Sequence, residues 1–298
     1  MRGKEVRDMK HFLIYTNRNK DRELTTTKRI CEYLEKRGQK VSVMVQAPEA
    51  SALPGEEPEE GTGEIVPDAD CMIVLGGDGT VLQAVRDCKS DHIPIIGVNL
   101  GTLGYMTEIE PDNLEDALER LLAGKYGQES RMMLSGRIDA VDGTCEEGWA
   151  LNDIVIARRG TLQVIRFNIY VNGLFLNSYH ADGVIVTTPT GSTGYNLSAG
   201  GPIIEPKARL IMLTPICPHT LNQRSIILSP EDVIEIEIPE GKEGRMQTVE
   251  AAFDGSSHTV MMHTGDRIRI AQSKKVTEFI QLNQVSFLEV LHKKMSES

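Results

Sequence analysis

The chain has 298 residues, with 32 Lys and Arg against 43 Asp and Glu and a formal net charge of −11. That length accommodates two domains of ordinary size, each able to bury a core. The acidic balance excludes a broad nucleic-acid-binding face, which needs clustered Lys and Arg, so any polyanionic ligand has to be held locally. The five cysteines, Cys31, Cys71, Cys88, Cys145 and Cys217, form no CxxC pair, which suggests neither a disulfide framework nor a zinc ribbon. Met1–Phe12 is charged and lacks an apolar core of signal-peptide length, and no run approaches the roughly 20 apolar residues of a membrane span. A soluble, cytoplasmic protein with no membrane partner is expected.

In chain order, "HFLIYTN" (11–17) reads as a strand, "TTTKRICEYLEKRG" (25–38) as a helix and "KVSVMV" (40–45) as a second strand. Residues 46–69, rich in Pro, Glu and Gly, read as a solvated loop. "CMIVLGG" (71–77) gives a third strand, "TVLQAVRDC" (80–88) a helix and "IPIIGVNL" (93–100) a fourth strand. The stretch 111–125 gives a helix with Leu114, Leu118, Leu121 and Leu122 on one face. Strands alternating with helices predict a parallel sheet.

Beyond about residue 130 the apolar period becomes two. Ile234, Ile236 and Ile238 alternate with acids, Ile268 and Ile270 alternate with arginines, and turns at Asp142, Asn172 and Asp254 have hairpin chemistry. The expected fold class is therefore α/β plus all-β. A Rossmann-like parallel α/β domain (1–129) carries "GGDGT", an antiparallel β-sandwich-like domain (130–280) follows, and a helix-like C-terminal segment (281–298) returns to the first domain.

The chain has no GK[ST], so it lacks a Walker A loop, and no GxGxxG follows the first strand. In "GGDGT" (76–80) the glycines permit tight backbone and close approach of a ligand, and Thr80 is placed to cap the following helix. Asp78 sits at the point of approach. A carboxylate there accepts a proton from a substrate hydroxyl or organises a Mg²⁺ ion; alone, the same motif equally describes a turn Asp bonding its own backbone. The second dense stretch is "HADGVIVTTPTGSTGYNLSAGGPI" (180–203). It offers hydroxyls and amides to ribose and phosphate and the Tyr195 ring to a base, and a structureless connection of that length is commonly functional. The histidines show no HExxH spacing, and Arg158, Arg159, Lys274 and Lys275 read as a solvated face.

"GGDGT", "GVNLGTLGYMTEI" (97–109), "LNDIVIARR" (151–159) and "DGVIVTTPTGSTGYNLSAGGPI" (182–203) together resemble, in order, the signature segments of the bacterial NAD kinases. The first motif is shared with diacylglycerol kinases, sphingosine kinases and phosphofructokinases; the long fourth one is specific. The resemblance implies a diacylglycerol-kinase-like NAD kinase fold, with the β domain binding NAD. It implies phosphoryl transfer from ATP, or inorganic polyphosphate, to the 2′-hydroxyl of the adenosine ribose of NAD, with Mg²⁺ or another divalent metal bound with the donor.

Carried over by motif position, Asp78 is the catalytic residue, with Gly79 beside it against the dinucleotide. Tyr105 walls the adenine pocket, and Asn152 and Asp153 hold the ribose and adenine side. Thr190, Thr193, Tyr195 and Ser198 contact the adenosine half, with Gly194, Asn196 and Leu197 in the same binding segment. Asp182 meets the nicotinamide half. His180 stands where many relatives carry Arg, and imidazole is charged only part of the time near pH 7. The resemblance further implies a homo-oligomer, a dimer or tetramer, whose active site is shared between chains. Two other readings are weighed: a GGDGT-type lipid kinase, which requires an apolar mouth, and a non-catalytic dinucleotide-binding sensor, which has no use for a base at Asp78.

Overall fold

The computed structural model describes residues 9–46, 68–88, 92–160, 164–219, 224–255, 259–283 and 286–296. The loop expected over 46–69 lies almost wholly outside them. The chain divides into two compact units, Met1–Ser130 with Thr277–Ser298, and Arg131–Val276.

The first unit opens with β1 (His11–Thr16), α1 (Thr25–Glu35) and β2 (Lys40–Val45), followed by β3 (Cys71–Gly76), α2 (Asp78–Asp87), β4 (Ile95–Asn99) and α3 (Leu114–Leu122). The strands run parallel in the order β2-β1-β3-β4. Every residue of β1, β3 and β4 is buried, which is why "HFLIYT" and "CMIVLG" read as continuous apolar runs rather than alternations. Ile30 and Leu34 of α1 and Leu114, Ala117, Leu118 and Leu121 of α3 close over the sheet; Leu122 stays only partly buried against them. The register pairs Thr16 with Leu75 and Gly76 with Asn99. The carboxyl ends of β1, β3 and β4 therefore share one edge, the edge at which open α/β sheets bind ligands.

β5 (Gly127–Asp139) leads into the second unit, which contains β6 (Cys145–Ala150), β7 (Asp153–Arg158), β8 (Ile165–Val171), β9 (Leu174–Ala181) and β10 (Gly183–Thr187). A 3₁₀ turn at Thr190–Thr193 and the single turn α4 (Tyr195–Ser198) precede β11 (Ile211–Ile216), β12 (Ile226–Leu228), β13 (Ile234–Glu237), β14 (Thr248–Phe253) and β15 (Thr259–His263). β16 (Arg267–Gln281) ends in the first unit, where Phe279 pairs with Ile95 of β4, and α5 (Phe287–Ser296) follows.

One sheet of the second unit has the order β12-β11-β10-β7-β14-β15, with every pairing antiparallel. β13 pairs antiparallel with β16 and β8, and β8 with β9. Between these layers Ile154, Ile156, Val184, Val186, Phe167, Ile169, Ile234, Ile236, Ile268 and Ile270 form one core, the aligned packing of a sandwich. The expected hairpin turn at Asn172 is present, with φ of +52° and +77° at Asn172 and Gly173 between β8 and β9, the two positive values of a type I′ connection; residue 256 of the expected turn at Asp254 lies outside the described residues.

Period-two patterning holds for β13 and β14 but fails for β10 and β11. Both are buried along their whole length, because Val155, Ile185 and Ile216 form a second small cluster on the other face of the sheet.

Phe167 is 0% exposed in the sandwich core. Phe167→Ala is expected to lower the unfolding free energy by about 3–5 kcal/mol, measured by urea denaturation followed by circular dichroism. A loss below about 1 kcal/mol, the scale of a conservative swap, would place β8 outside the core.

Candidate active site

In the first unit β3 ends at Gly76 and α2 begins at Asp78, so the helix starts two residues earlier than its apolar periodicity suggests. Extended Gly77 is the N-cap, and Thr80 lies inside the first turn instead of capping it. The Thr80 hydroxyl is buried and accepts from Asn17 Nδ2 at 3.4 Å.

The Asp78 carboxylate does more than close its own turn. It accepts the backbone N–H of Tyr105 at 2.8 Å and of Met106 at 2.9 Å, tying the GGDGT turn to "GTLGYM". Such approach requires glycine at position 104, since a Cβ there would run into Asp78 Oδ1 and stand 2.7 Å from Thr107 Oγ1. An ionised carboxylate has about four acceptor positions. With two occupied by amides, two remain for a ligand. Gly79 is exposed beside it.

Lys20, just past β1, went unremarked in the sequence. Its Nζ comes within 2.9 Å of where a Cβ on Gly101 would sit and 3.8 Å of one on Gly77, a positive charge over the same glycine turns.

Tyr105 is half-buried. Its ring centroid lies 5.7 Å from that of Phe287, tilted by 39°, and Lys294 Nζ stands 4.5 Å from the ring. Both partners belong to α5. Burial, and then the charge of Asp78, raise the pKa of the phenol.

In the second unit Asn152 immediately precedes β7 and is fixed through its backbone. Its carbonyl accepts from Thr188 N at 2.8 Å and Thr187 Oγ1 at 2.9 Å. The N–H groups of Leu151, Asn152 and Asp153 all donate to the Asp254 carboxylate, at 2.7, 2.7 and 3.1 Å. The side-chain oxygen of Asn152, by contrast, is buried with no hydrogen-bond partner among the described residues. Asp153 is buried, and that desolvation, followed by the charge of Asp254, pushes its carboxyl up to about 7. Asp254 read in the sequence only as a hairpin residue; the one available signal was an acid directly ending the apolar strand "TVEAAF".

Residues 190–198 are not a structureless loop. Thr188 Oγ1 donates to Leu151 O at 2.6 Å and accepts from Gly191 N at 3.2 Å, which starts the 3₁₀ turn against the Asn152 segment. Asn196 is fully buried: its amide donates to Ser192 O and Pro202 O and accepts from Thr214 Oγ1 at 2.7 Å. It braces the segment from inside and presents nothing outward. Thr190 is buried, Thr193 and Gly194 are half-buried, and Tyr195, Leu197 and Ser198 are exposed. A Cβ on Gly194 would lie 3.6 Å from Asn152 Nδ2, so this turn is brought to the Asn152 amide. The Tyr195 phenol is raised by partial burial, then by Cys217, Asp182 and Asp153, which puts it within electrostatic reach of both carboxylates.

Asp182 Oδ1 pairs with Arg158 Nε at 3.1 Å, each side chain only about a quarter exposed, at 29% and 24%. Arg158 is thus a carboxylate partner rather than part of a solvated face. The His180 side chain is exposed on β9.

Among the described residues no three His, Cys, Asp or Glu side chains converge as a metal cage. No helix among the described residues is long and apolar enough to cross a membrane.

Residues 12–126 match the ATP-NAD kinase N-terminal domain and residues 151–282 the ATP-NAD kinase C-terminal domain. The chain is 47% identical over 297 residues to an NAD kinase of Lachnospira eligens, covering 96% of this chain and 100% of the relative. It is 45% identical to an NAD kinase of Agathobacter rectalis, covering 96% and 99%. Among solved structures it is similar to yeast NADH kinase complexed with NADH, with TM-score 0.80, 25% identity, and coverage of 97% of this chain and 88% of that one. An NAD kinase from Archaeoglobus fulgidus in complex with ATP aligns with TM-score 0.75, 27% identity and coverage of 97% and 99%. These relatives lend no support to a lipid kinase or a non-catalytic sensor. With both domain signatures in order and near-half identity along nearly its whole length, the chain belongs to the NAD kinase family of phosphotransferases.

Proposed function

We propose that this chain phosphorylates the 2′-hydroxyl of the adenosine ribose of NAD, with ATP as donor and Asp78 as the general base. The observation that carries the role of Asp78 is its geometry: a carboxylate in the first turn of α2, oriented by two backbone N–H donors and retaining acceptor capacity. A ribose hydroxyl is a poor nucleophile until a positioned base takes its proton, and the remainder of phosphoryl transfer is positioning and charge neutralisation. Mg²⁺ bound to the donor phosphates supplies neutralisation as part of the substrate. Lys20 adds a positive charge over the glycine turns.

In the second unit, recognition of the dinucleotide is assigned to Asn152 and Asp153 with Thr190, Thr193, Gly194, Tyr195, Leu197 and Ser198; in the first unit, Tyr105 is assigned as an aromatic contact for the adenine. The unsatisfied Asn152 oxygen supports this role, because a buried acceptor without a partner costs about 1–3 kcal/mol unless a ligand donor completes it. Asn196 acts from behind as a brace. We further read the protein as a cytoplasmic homo-oligomer, a dimer or tetramer, in which Asp182, oriented by Arg158, reaches the nicotinamide half of a dinucleotide bound with a partner copy; His180 is the adjacent anion contact. The absence of any CxxC pair among the five cysteines supports the cytoplasmic setting.

Asp78→Asn preserves one acceptor for the Tyr105 and Met106 amides. It is expected to remain folded, keep KM for NAD within a few-fold and lose kcat by about 10² or more. An NADP-specific dehydrogenase coupled to the reaction reads this directly, and activity within a few-fold of the parent would remove Asp78 as base.

Asn152→Ala is expected to raise KM for NAD by the equivalent of about 1–3 kcal/mol, with KM for ATP changed much less. An unchanged KM for NAD would reduce Asn152 and Asp153 to a turn before β7.

A further inference from the structure

Asp254 is only 6% exposed, yet it ends β14 at the surface-turn sequence "DGS". Its φ is +53°, in the left-handed region that non-glycine residues uncommonly occupy. A hairpin residue needs only its backbone for the turn. Here the side chain points inward and accepts three successive backbone N–H groups, from Leu151, Asn152 and Asp153. The backbone N–H of Asp254 in turn donates to the Asp153 carbonyl at 3.0 Å, extending the pairing in which Phe253 faces Ile154.

Three consecutive amides aimed at one point make a concave nest for an anion. Only a carboxylate answers it with acceptors alone; an amide in its place would turn an NH₂ group toward backbone donors. With the N–H groups held by Asp254 and the Asn152 carbonyl held by Thr187 and Thr188, the Asn152–Asp153 backbone is held on both its donor and acceptor sides, which fixes the direction in which its side chains leave it.

We propose that Asp254 is a positioning residue for NAD binding, fixing Asn152 and Asp153 through their backbone amides so that the Asn152 carboxamide is held in place for the dinucleotide. This rests on the reading that Asn152 and Asp153 contact NAD. Asp254 itself touches no substrate.

The same carboxylate has a second effect on its neighbour. Asp153 is raised first by burial and then by the negative charge of Asp254; the other titratable group facing it is the Tyr195 phenol. Removing the charge at position 254 makes ionisation of Asp153 less unfavourable, so its titration moves to lower pH.

The test is steady-state kinetics across the neutral pH range on the full chain carrying Asp254→Asn, Asn152→Ala or both, with thermal melts of each. Asp254→Asn is expected to raise KM for NAD about tenfold, keep kcat within about threefold and move the corresponding limb of the kcat/KM profile to lower pH. In the Asn152→Ala background the added effect of Asp254→Asn is expected to be clearly smaller than tenfold, because both changes act on one contact. Asp254→Glu, which keeps the charge but displaces it by one methylene, is expected to raise KM while leaving the limb in place, and it carries the comparison should Asp254→Asn not fold. Parental KM in folded Asp254 variants, while Asn152→Ala alone still raises KM, would overturn the role of Asp254 and leave the NAD contact standing. Additive effects or a loss in kcat alone would do the same. An unchanged KM in Asn152→Ala would remove the underlying contact.

Discussion

Both functional segments depend on the same interaction, a carboxylate accepting successive backbone N–H groups of a distant loop. Asp78 holds Tyr105 and Met106 across 27 and 28 positions of sequence, and Asp254 holds Leu151, Asn152 and Asp153 across 103, 102 and 101. Charge-assisted hydrogen bonds of this kind are shorter and stronger than neutral ones. They also settle the accounting problem of irregular backbone near a core, where every buried N–H needs an acceptor. Loops held in this way keep a defined shape without belonging to a helix or sheet, as the dinucleotide site proposed here would need.

The scaffold beneath these loops was legible in the sequence because burial leaves a plain mark. "HFLIYT", "CMIVLG" and "IIGVN" carry unbroken apolar stretches rather than alternations since both faces of β1, β3 and β4 are covered, and "IEIE" alternates since β13 has one covered face. Alternation was extended too far: "GVIVT" and "IMLTPI" lie antiparallel yet are buried on both faces. Period reports how many faces are covered, and only indirectly whether neighbours run parallel. The start of α2 was misplaced for a related reason, as Asp78 and Gly79 carry no apolar signal although their backbone is helical.

The candidate site was legible in sequence where its residues are consecutive and chemically unusual, as in 76–80 and 190–198. It was opaque where function depends on which long-range partner a side chain finds. Asn196 lies in the middle of the binding segment yet turns wholly inward to Ser192, Pro202 and Thr214. Asp254 looked like an ordinary hairpin acid and turns inward to Asn152. Arg158 looked like a solvated cation and pairs with Asp182. In each case the residue type fits both settings; the register of β7 against β10 and β14 selects for Arg158 and Asp254, and the contact with Thr214 of β11 helps to select for Asn196.

A carboxylate at a glycine-rich helix start would seem to defeat phosphate binding, and the chain as a whole is acidic. At about 4 Å two like charges in a partly screened site repel by about 4 kcal/mol, enough to weaken binding by several hundredfold. The backbone around Asp78 reduces that penalty. Its two amide donors draw the carboxylate's charge toward the 105–106 loop, the first-turn N–H groups of α2 add their own positive end, and Lys20 brings a full positive charge over Gly77 and Gly101. What remains on Asp78 is acceptor capacity in a fixed direction. A neutral asparagine would bind phosphate with less repulsion, but it has no proton affinity to offer a hydroxyl. In the role proposed for Asp78, an acid at this turn is what the chemistry of the acceptor calls for, and the surrounding amides and lysine offset its repulsion of a polyanionic donor.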